Sequence, residues 1–118
     1  MKILVVEDEE LVRDMAVAGL EQAGFEVIEA ATGEQALAVC RERAADALFT
    51  DIRLPGEIDG WDIAEHCREI DPRLPVVYAT GYSPVPSRFV PGARLLQKPY
   101  RINAVIETIR ELSGGQAN

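Results

Sequence analysis

The sequence predicts an α/β fold: a doubly wound parallel sheet of five strands with helices on both faces. Three observations carry this. Short runs of β-branched and aliphatic residues alternate with stretches whose apolar residues recur at helical spacing. Four of those runs break off in polar or turn-forming residues, at Glu7-Asp8, at Asp51 ahead of Pro55-Gly56, at Thr80-Gly81 and at Lys98-Pro99. Strand and helix alternation needs right-handed crossovers, which place all of those ends on one edge of the sheet.

Residues 2–6 are almost unbroken aliphatics, the pattern of a strand buried on both faces. From Glu10 to Ala23 the residues Leu11, Met15, Ala18 and Leu20 mark a helix that Gly24 is placed to end. Phe25–Glu29 is a second strand, part alternating, as expected nearer an edge. Thr32 and Gln35 read as a capping box for a helix through about Arg43, with Ala36, Leu37, Val39 and Cys40 on its inner side. Ala47–Asp51 is the third strand, too short for a helix and ending in a carboxylate. Asp59 caps a helix through Ile70, and Asp71-Pro72 stops it. Pro75–Ala79 and Ala93–Gln97 are strands four and five. Ile102, Val105, Ile106, Ile109 and Leu112 form the stripe of the last helix. Between Gly81 and Gly92, Pro84, Pro86 and Pro91 leave no room for an ordinary helix, so the fourth helix is shortened or replaced by a proline-rich loop with at most one turn around Ser87 to Val90. Five strands suit the flavodoxin-like order 2-1-3-4-5, in which strands one and three are neighbours and ligands bind at the carboxyl ends.

A chain of 118 residues with 47% hydrophobic and 27% charged residues is one domain, read here as 1–112, with a polar, Gly-containing tail at 113–118 expected to be flexible. No apolar run approaches the ~20 residues of a membrane span. The N-terminal stretch is too short in its apolar part and too acidic afterwards for a signal peptide. A net charge of −8 argues against nucleic acid as a direct ligand and favours a divalent cation or a basic partner surface. Cys40 and Cys67 match no metal-ligand spacing and read as reduced helix residues of a cytoplasmic protein, not as a disulfide.

The predicted order sets Glu7-Asp8 beside Asp51, with Thr80 and Lys98 facing them across the same crevice. Converging carboxylates repel, and a hard divalent cation with oxygen ligands is the natural remedy. Glu7, Asp8 and Asp51 bring negative charge; Mg²⁺, or Mn²⁺ in its place, and Lys98 bring positive charge. An added phosphoryl group of about −1.5 to −2 then needs donors, which the Thr80 hydroxyl and backbone amides after Asp51 would supply. The set suits phosphoryl transfer by positioning and charge neutralisation. Each piece alone has a plainer reading, as helix-start acids, turn residues or a strand end; the conjunction at four separate strand ends is what is specific.

On these residues the chain resembles, over essentially its whole length, the receiver domains of two-component response regulators: the acidic pair Glu7-Asp8, the acceptor Asp51, the hydroxyl residue Thr80, and Lys98 followed by Pro99. The resemblance implies phosphoryl transfer to Asp51 from a histidine kinase or histidine phosphotransfer protein, with Mg²⁺ held by Asp8, Asp51, Glu7 through water, and the Arg53 main-chain carbonyl. It implies a Thr80 that turns toward the phosphoryl group, a Lys98 that pairs with it, and a Lys98-Pro99 bond that can be cis. It also implies a bacterial phosphoprotein of the cytoplasm with a downstream protein target, no membrane or nucleic-acid partner, and no catalysis beyond its own phosphorylation and dephosphorylation.

Two departures from the family stand out. Leu95 occupies the place of the usual aromatic switch residue, and the segment after Thr80 is rich in proline. With Tyr78-Ala79-Thr80-Gly81-Tyr82, these resemble the receiver subgroup named for a Phe-Ala-Thr-Gly-Tyr motif, although Val76 departs from that group's usual Phe. In that subgroup the moving parts would be Tyr82 and the proline-rich loop. The loop after Asp51 is one residue longer than the family's usual. His66 reads as a surface residue and Trp61 as packing at its helix start.

The output is then a changed protein–protein interaction, or the chain is a phosphate sink or the receiver segment of a larger hybrid histidine kinase. An Asp-nucleophile phosphatase would want a second Asp two residues after Asp51, where Arg53 stands, and a flavodoxin would want a phosphate-cradling loop where Glu7-Asp8 stands.

Overall fold

A computed structural model describes residues 1–81 and 88–114. Strands β1 (Lys2–Val6), β2 (Glu26–Ala30), β3 (Ala47–Asp51), β4 (Val76–Thr80) and β5 (Arg94–Gln97) alternate with helices α1 (Glu10–Gln22), α2 (Gly33–Arg41), α3 (Gly60–Ile70) and α4 (Ile102–Gly114). The sheet order is β2-β1-β3-β4-β5, parallel throughout, with Val6 opposite Thr50, Asp51 opposite Ala79 and Thr80 opposite Gln97. Among the described residues, no α-helix stands between β4 and β5.

Alternate residues of the buried strands feed two cores. Ile3, Val5, Phe49, Val77 and Ala79 meet α1 and α4 through Ala16, Leu20, Val105 and Ile109. Leu4, Val6, Leu48, Val76 and Tyr78 meet α2 and α3 through Ala36, Cys40, Ile63, Ala64 and Cys67. Tyr78 is fully buried, with its ring 4.9 Å from Trp61 and 5.1 Å from Phe89, and its hydroxyl accepts from the Val90 amide at 3.3 Å. The cluster gives Trp61 the packing role expected of it and anchors the chain as it returns toward β5.

Several expectations need correction. On α1, Leu11 and Met15 are 79% and 75% exposed, and Ala18 is exposed as well. The inner stripe is Ala16 and Leu20, because the helix meets α4 through its small residues, with Gly19 directly against Ile102. Gln35 does not close a reciprocal box on Thr32: the Thr32 hydroxyl accepts from the Gln35 amide at 3.2 Å, while the Gln35 side chain accepts from Ala31 at 2.7 Å. Helix α2 stops at Arg41, and Arg43 takes φ 54°, a left-handed conformation usually given to glycine. Gly24 does follow the end of α1, at φ 101°. Helix α4 runs through Gly114, two residues into the stretch expected to be tail. The expected pair of separate thiols is overturned: α2 and α3 cover the same sheet face, and Cys40 and Cys67 form a disulfide with Cα atoms 5.4 Å apart. Their separation of 27 residues hides a contact that only helix–helix packing creates. Tyr82, Pro84, Pro86 and Ser87 lie outside the described residues.

Candidate functional site

The site forms where β1, β3 and β5 end. Past Val6 the Glu7 amide still donates to Ala30 at 3.1 Å, so the strand's pairing carries Glu7 inward, and the residue is 5% exposed. Asp8, next along, is exposed. Asp51 is the last residue of β3. Beyond it the Ile52 amide donates to Ala79 at 3.0 Å and the Gly60 amide donates to Ile52 at 2.8 Å, which folds α3 back onto the strand end. A Cβ on Gly60 would collide with the Asp51 carbonyl oxygen and lie 2.8 Å from Ile52 Cα, so only glycine lets the helix start there. Asp59 fixes that start with a true capping box, accepting from the Asp62 amide at 3.0 Å while Asp62 accepts from Asp59 at 3.1 Å.

Lys98 reaches in from the end of β5, its amide tied to the Thr80 carbonyl at 2.8 Å. Its ammonium donates to Glu7 Oε1 at 2.8 Å and to Asp51 Oδ2 at 3.0 Å. The second Glu7 oxygen accepts from the Glu9 amide at 3.1 Å. Carboxylate oxygens of Glu7, Asp8 and Asp51 all lie within 4.8 Å of one another. Among the described residues, three carboxylates thus face one ammonium, and their donor set is all hard oxygen, as a small divalent cation requires.

Burial raises the carboxyl of Glu7 above its ordinary range, against the hydrogen bond from Lys98 that lowers it and with the Asp51 charge adding to the rise. Burial likewise raises Asp51, opposed by Lys98 and reinforced by Asp8. Burial alone would lower the Lys98 ammonium, but its hydrogen bonds to Glu7 and Asp51 outweigh that, and the net shift is upward. The desolvated carboxylates are therefore under-compensated by protein charge alone.

The structure brings Glu7, Asp8, Asp51 and Lys98 together. Arg53 is exposed just past β3, and Thr80 is buried at the end of β4. Leu95 lies apart from the charged cluster, packing half-buried on the Tyr78 side of the sheet. Pro99 is exposed, and its bond to Lys98 is cis. Tyr82 falls outside the described residues.

Two contributors escape a sequence reading. Arg13 donates to the Glu7 carbonyl at 2.8 Å and to Glu29 at 3.1 Å, bracing the acidic turn against β2. Tyr100 packs edge-on to Phe49 at 5.3 Å beneath the site, and burial raises its phenol. The sole signal for Arg13 is a basic residue just inside an acidic run; for Tyr100, an aromatic directly after Lys98-Pro99.

A model of the response regulator receiver domain family matches residues 3–110. The response regulator receiver protein CpdR of Brucella abortus is 33% identical over 115 residues, covering 94% of this chain and 95% of that protein. A response regulator receiver protein from Sinorhizobium medicae superposes with a TM-score of 0.94 at 32% identity, covering 98% of this chain and 96% of that one. The receiver domain of the hybrid histidine kinase CckA superposes at 0.82 with 35% identity, covering 95% of this chain and 98% of that domain. Against longer relatives the chain spans far less, 18% of an NtrX-like regulator from Rickettsia felis and 12% of the Brucella abortus sensor kinase CckA. With the family match over nearly its full length, the parallel 2-1-3-4-5 sheet and the acid–lysine cluster at its carboxyl edge, this chain belongs to the response regulator receiver domain family.

Proposed function

We propose that the chain accepts a phosphoryl group on Asp51 and signals by a changed protein–protein interaction. The observation that carries this reading is the Asp51 carboxylate at the end of β3, bridged by Lys98 to Glu7 with Asp8 alongside. An Asp51 carboxylate oxygen attacks the phosphorus of a phosphohistidine on a histidine kinase or phosphotransfer protein. The P–N bond breaks, the imidazole leaves, and Asp51 becomes an acyl phosphate; attack by water later returns the carboxylate and inorganic phosphate.

Lys98 holds Asp51 in place before transfer and supplies positive charge near the incoming group. The Thr80 hydroxyl and amides after Asp51 are the donors for the phosphoryl oxygens. Glu7, Asp8, Asp51 and the Arg53 main-chain carbonyl would hold Mg²⁺, or Mn²⁺, and the clustered hard-oxygen donors fit such an ion. When bound, the ion supplies charge neutralisation for the transfer. Arg13 and Tyr100 position Glu7 and Phe49 without touching the reacting atoms. Tyr82, Pro99 and the proline-rich segment relay the change, with Leu95 in place of an aromatic. The chain acts in the cytoplasm, through protein partners and not through nucleic acid or membrane.

A second reading, a receiver segment of a larger hybrid kinase or a phosphate sink, is supported by the likeness to the CckA receiver domain. It shares the same chemistry and differs in where the phosphoryl group goes next.

Intact-protein mass spectrometry after incubation with Mg²⁺ and acetyl phosphate tests the proposal. One phosphoryl adduct is expected, lost in Asp51→Asn and without the cation. Absence of an adduct with acetyl phosphate and with a phosphorylated kinase, together with no Mg²⁺ binding, would sink the acceptor role.

A further inference from the structure

We propose that Cys40 and Cys67 form a reversible thiol–disulfide modification site, which ties α2 to α3 when oxidised and is opened through Cys40 by a small thiol. The site lies against the sheet's other end and stands apart from the phosphoryl chemistry. Three features point to it.

First, the Cα separation of 5.4 Å lies within the range a disulfide spans without backbone movement. Second, both sulfurs belong to an apolar cluster with Leu4, Leu48, Ala64, Leu74 and Val76. Reduced thiols pack there as small hydrophobes, so α2 and α3 keep their contact in either state. A domain with two extensive apolar cores does not need the bond in order to fold, unlike a small disulfide-dependent scaffold. Third, both cysteines line a cavity of about 150 Å³, floored by Leu4, Leu48 and Leu74 and reaching the surface at exposed Arg43 and Asp46. Cys40 is 7% exposed and Cys67 is 1% exposed, so an incoming sulfur reaches Cys40 first. Arg43, Asp46 and Asp71 line the same cavity, so its wall carries charged groups of both signs where a thiolate would approach.

The reaction is an exchange with the glutathione class of small thiols. The Cys40 thiolate attacks glutathione disulfide and releases one glutathione thiolate. The Cys67 thiolate then attacks Cys40 Sγ and expels the second. Two protein thiols and one glutathione disulfide give one protein disulfide and two glutathione molecules. Reduction is the reverse, with attack at Cys40 and Cys67 as leaving group.

The test uses the full chain in native buffer, equilibrated across ratios of reduced to oxidised glutathione, quenched in acid and read by intact mass and peptide mapping. Oxidised glutathione is expected to remove the mass of two hydrogens, and reduced glutathione to restore it without denaturant. The oxidised form should melt roughly 10 °C higher, given the 27-residue separation. In Cys67→Ala, Cys40 should take a glutathione adduct at least about tenfold faster than Cys67 does in Cys40→Ala. Peptide mapping of the trapped wild-type mixed disulfide gives the same assignment if either variant fails to fold. A bond that never forms under oxidation would overturn the proposal. So would one that opens only after unfolding, or adducts that favour Cys67.

Discussion

The carboxyl and amino ends of this sheet are built on opposite terms. At the carboxyl end, backbone runs close to backbone, Gly60 against Asp51, and Glu7 and Asp51 are drawn out of water onto the Lys98 ammonium. At the amino end, α2 and α3 meet through small apolar side chains and a disulfide, with a cavity of about 150 Å³ left between them. The first arrangement fixes geometry at the expense of electrostatic comfort; the second tolerates slack because no phosphoryl chemistry depends on it. The difference teaches which substitutions should disturb chemistry and stability together, and which should move stability alone.

The largest effect is expected where backbone meets backbone. Gly60→Ala cannot be relieved by a rotamer change, since the obstructing atoms are the Asp51 carbonyl and Ile52 Cα. Urea denaturation should show a loss of about 3 kcal/mol, with slower adduct formation on Asp51 in the fraction that folds. A near-neutral Gly60→Ala would mean that the carboxyl end is as yielding as the amino end, and the contrast would fail.

Lys98→Met comes next. It leaves Glu7 and Asp51 facing one another, 6% and 11% exposed as side chains, with their ammonium gone. Because the acids can take up protons, the expected loss is only about 2 kcal/mol at neutral pH without divalent cation. The pH dependence of the unaltered protein sharpens the same point. Glu7 and Asp51 have raised folded-state values, so the native state binds more protons than the unfolded chain just above the ordinary carboxylate range. Their stabilising contribution is full below the unfolded values and is lost as pH rises through the folded ones. Metal-free stability, followed by urea midpoints, should therefore lose this part as pH rises from acid toward neutral, and saturating Mg²⁺ should reduce the loss. Lys98 has the raised value of a paired ammonium, so its own contribution persists to alkaline pH. No Mg²⁺ effect on the acid-to-neutral change would argue that the carboxylates are already compensated.

What a sequence shows of these two ends differs for the same reason. The carboxyl end was legible because strand ends are announced by turn residues, and topology then brings Glu7, Asp51 and Lys98 to one edge. Asp59 was legible as a cap because capping is local. The amino end depends on how helices rotate and cross. Leu11 and Met15 keep helical spacing whichever way α1 turns, and only contact with Ile102 through Gly19 decides that they face out. Cys40 and Cys67 sit in separate amphipathic helices, and their meeting follows from packing between those helices that neither pattern encodes. Arg13 bracing Glu7 is likewise a tertiary contact.

The smallest predicted effect has the opposite sign and lies at the amino end. Arg43 holds φ 54° just past α2, where its amide donates to Cys40 at 3.0 Å and the Ala44 amide donates to Val39 at 3.4 Å. That is a helix stop suited to glycine, and a non-glycine residue there carries a steric cost of roughly 1 kcal/mol. Arg43→Gly removes the cost but frees the unfolded chain slightly, so a net gain of about 0.5 kcal/mol is expected from urea midpoints in the reduced protein. The gain should be the same with Cys40 and Cys67 joined, because the strain is local to one backbone position. Adduct formation on Asp51 should not change, since Arg43 lies at the other end of the sheet. A loss of stability instead would mean that the Arg43 side chain does structural work over the cavity, and a change at Asp51 would mean that the two ends are coupled through α2 and α3.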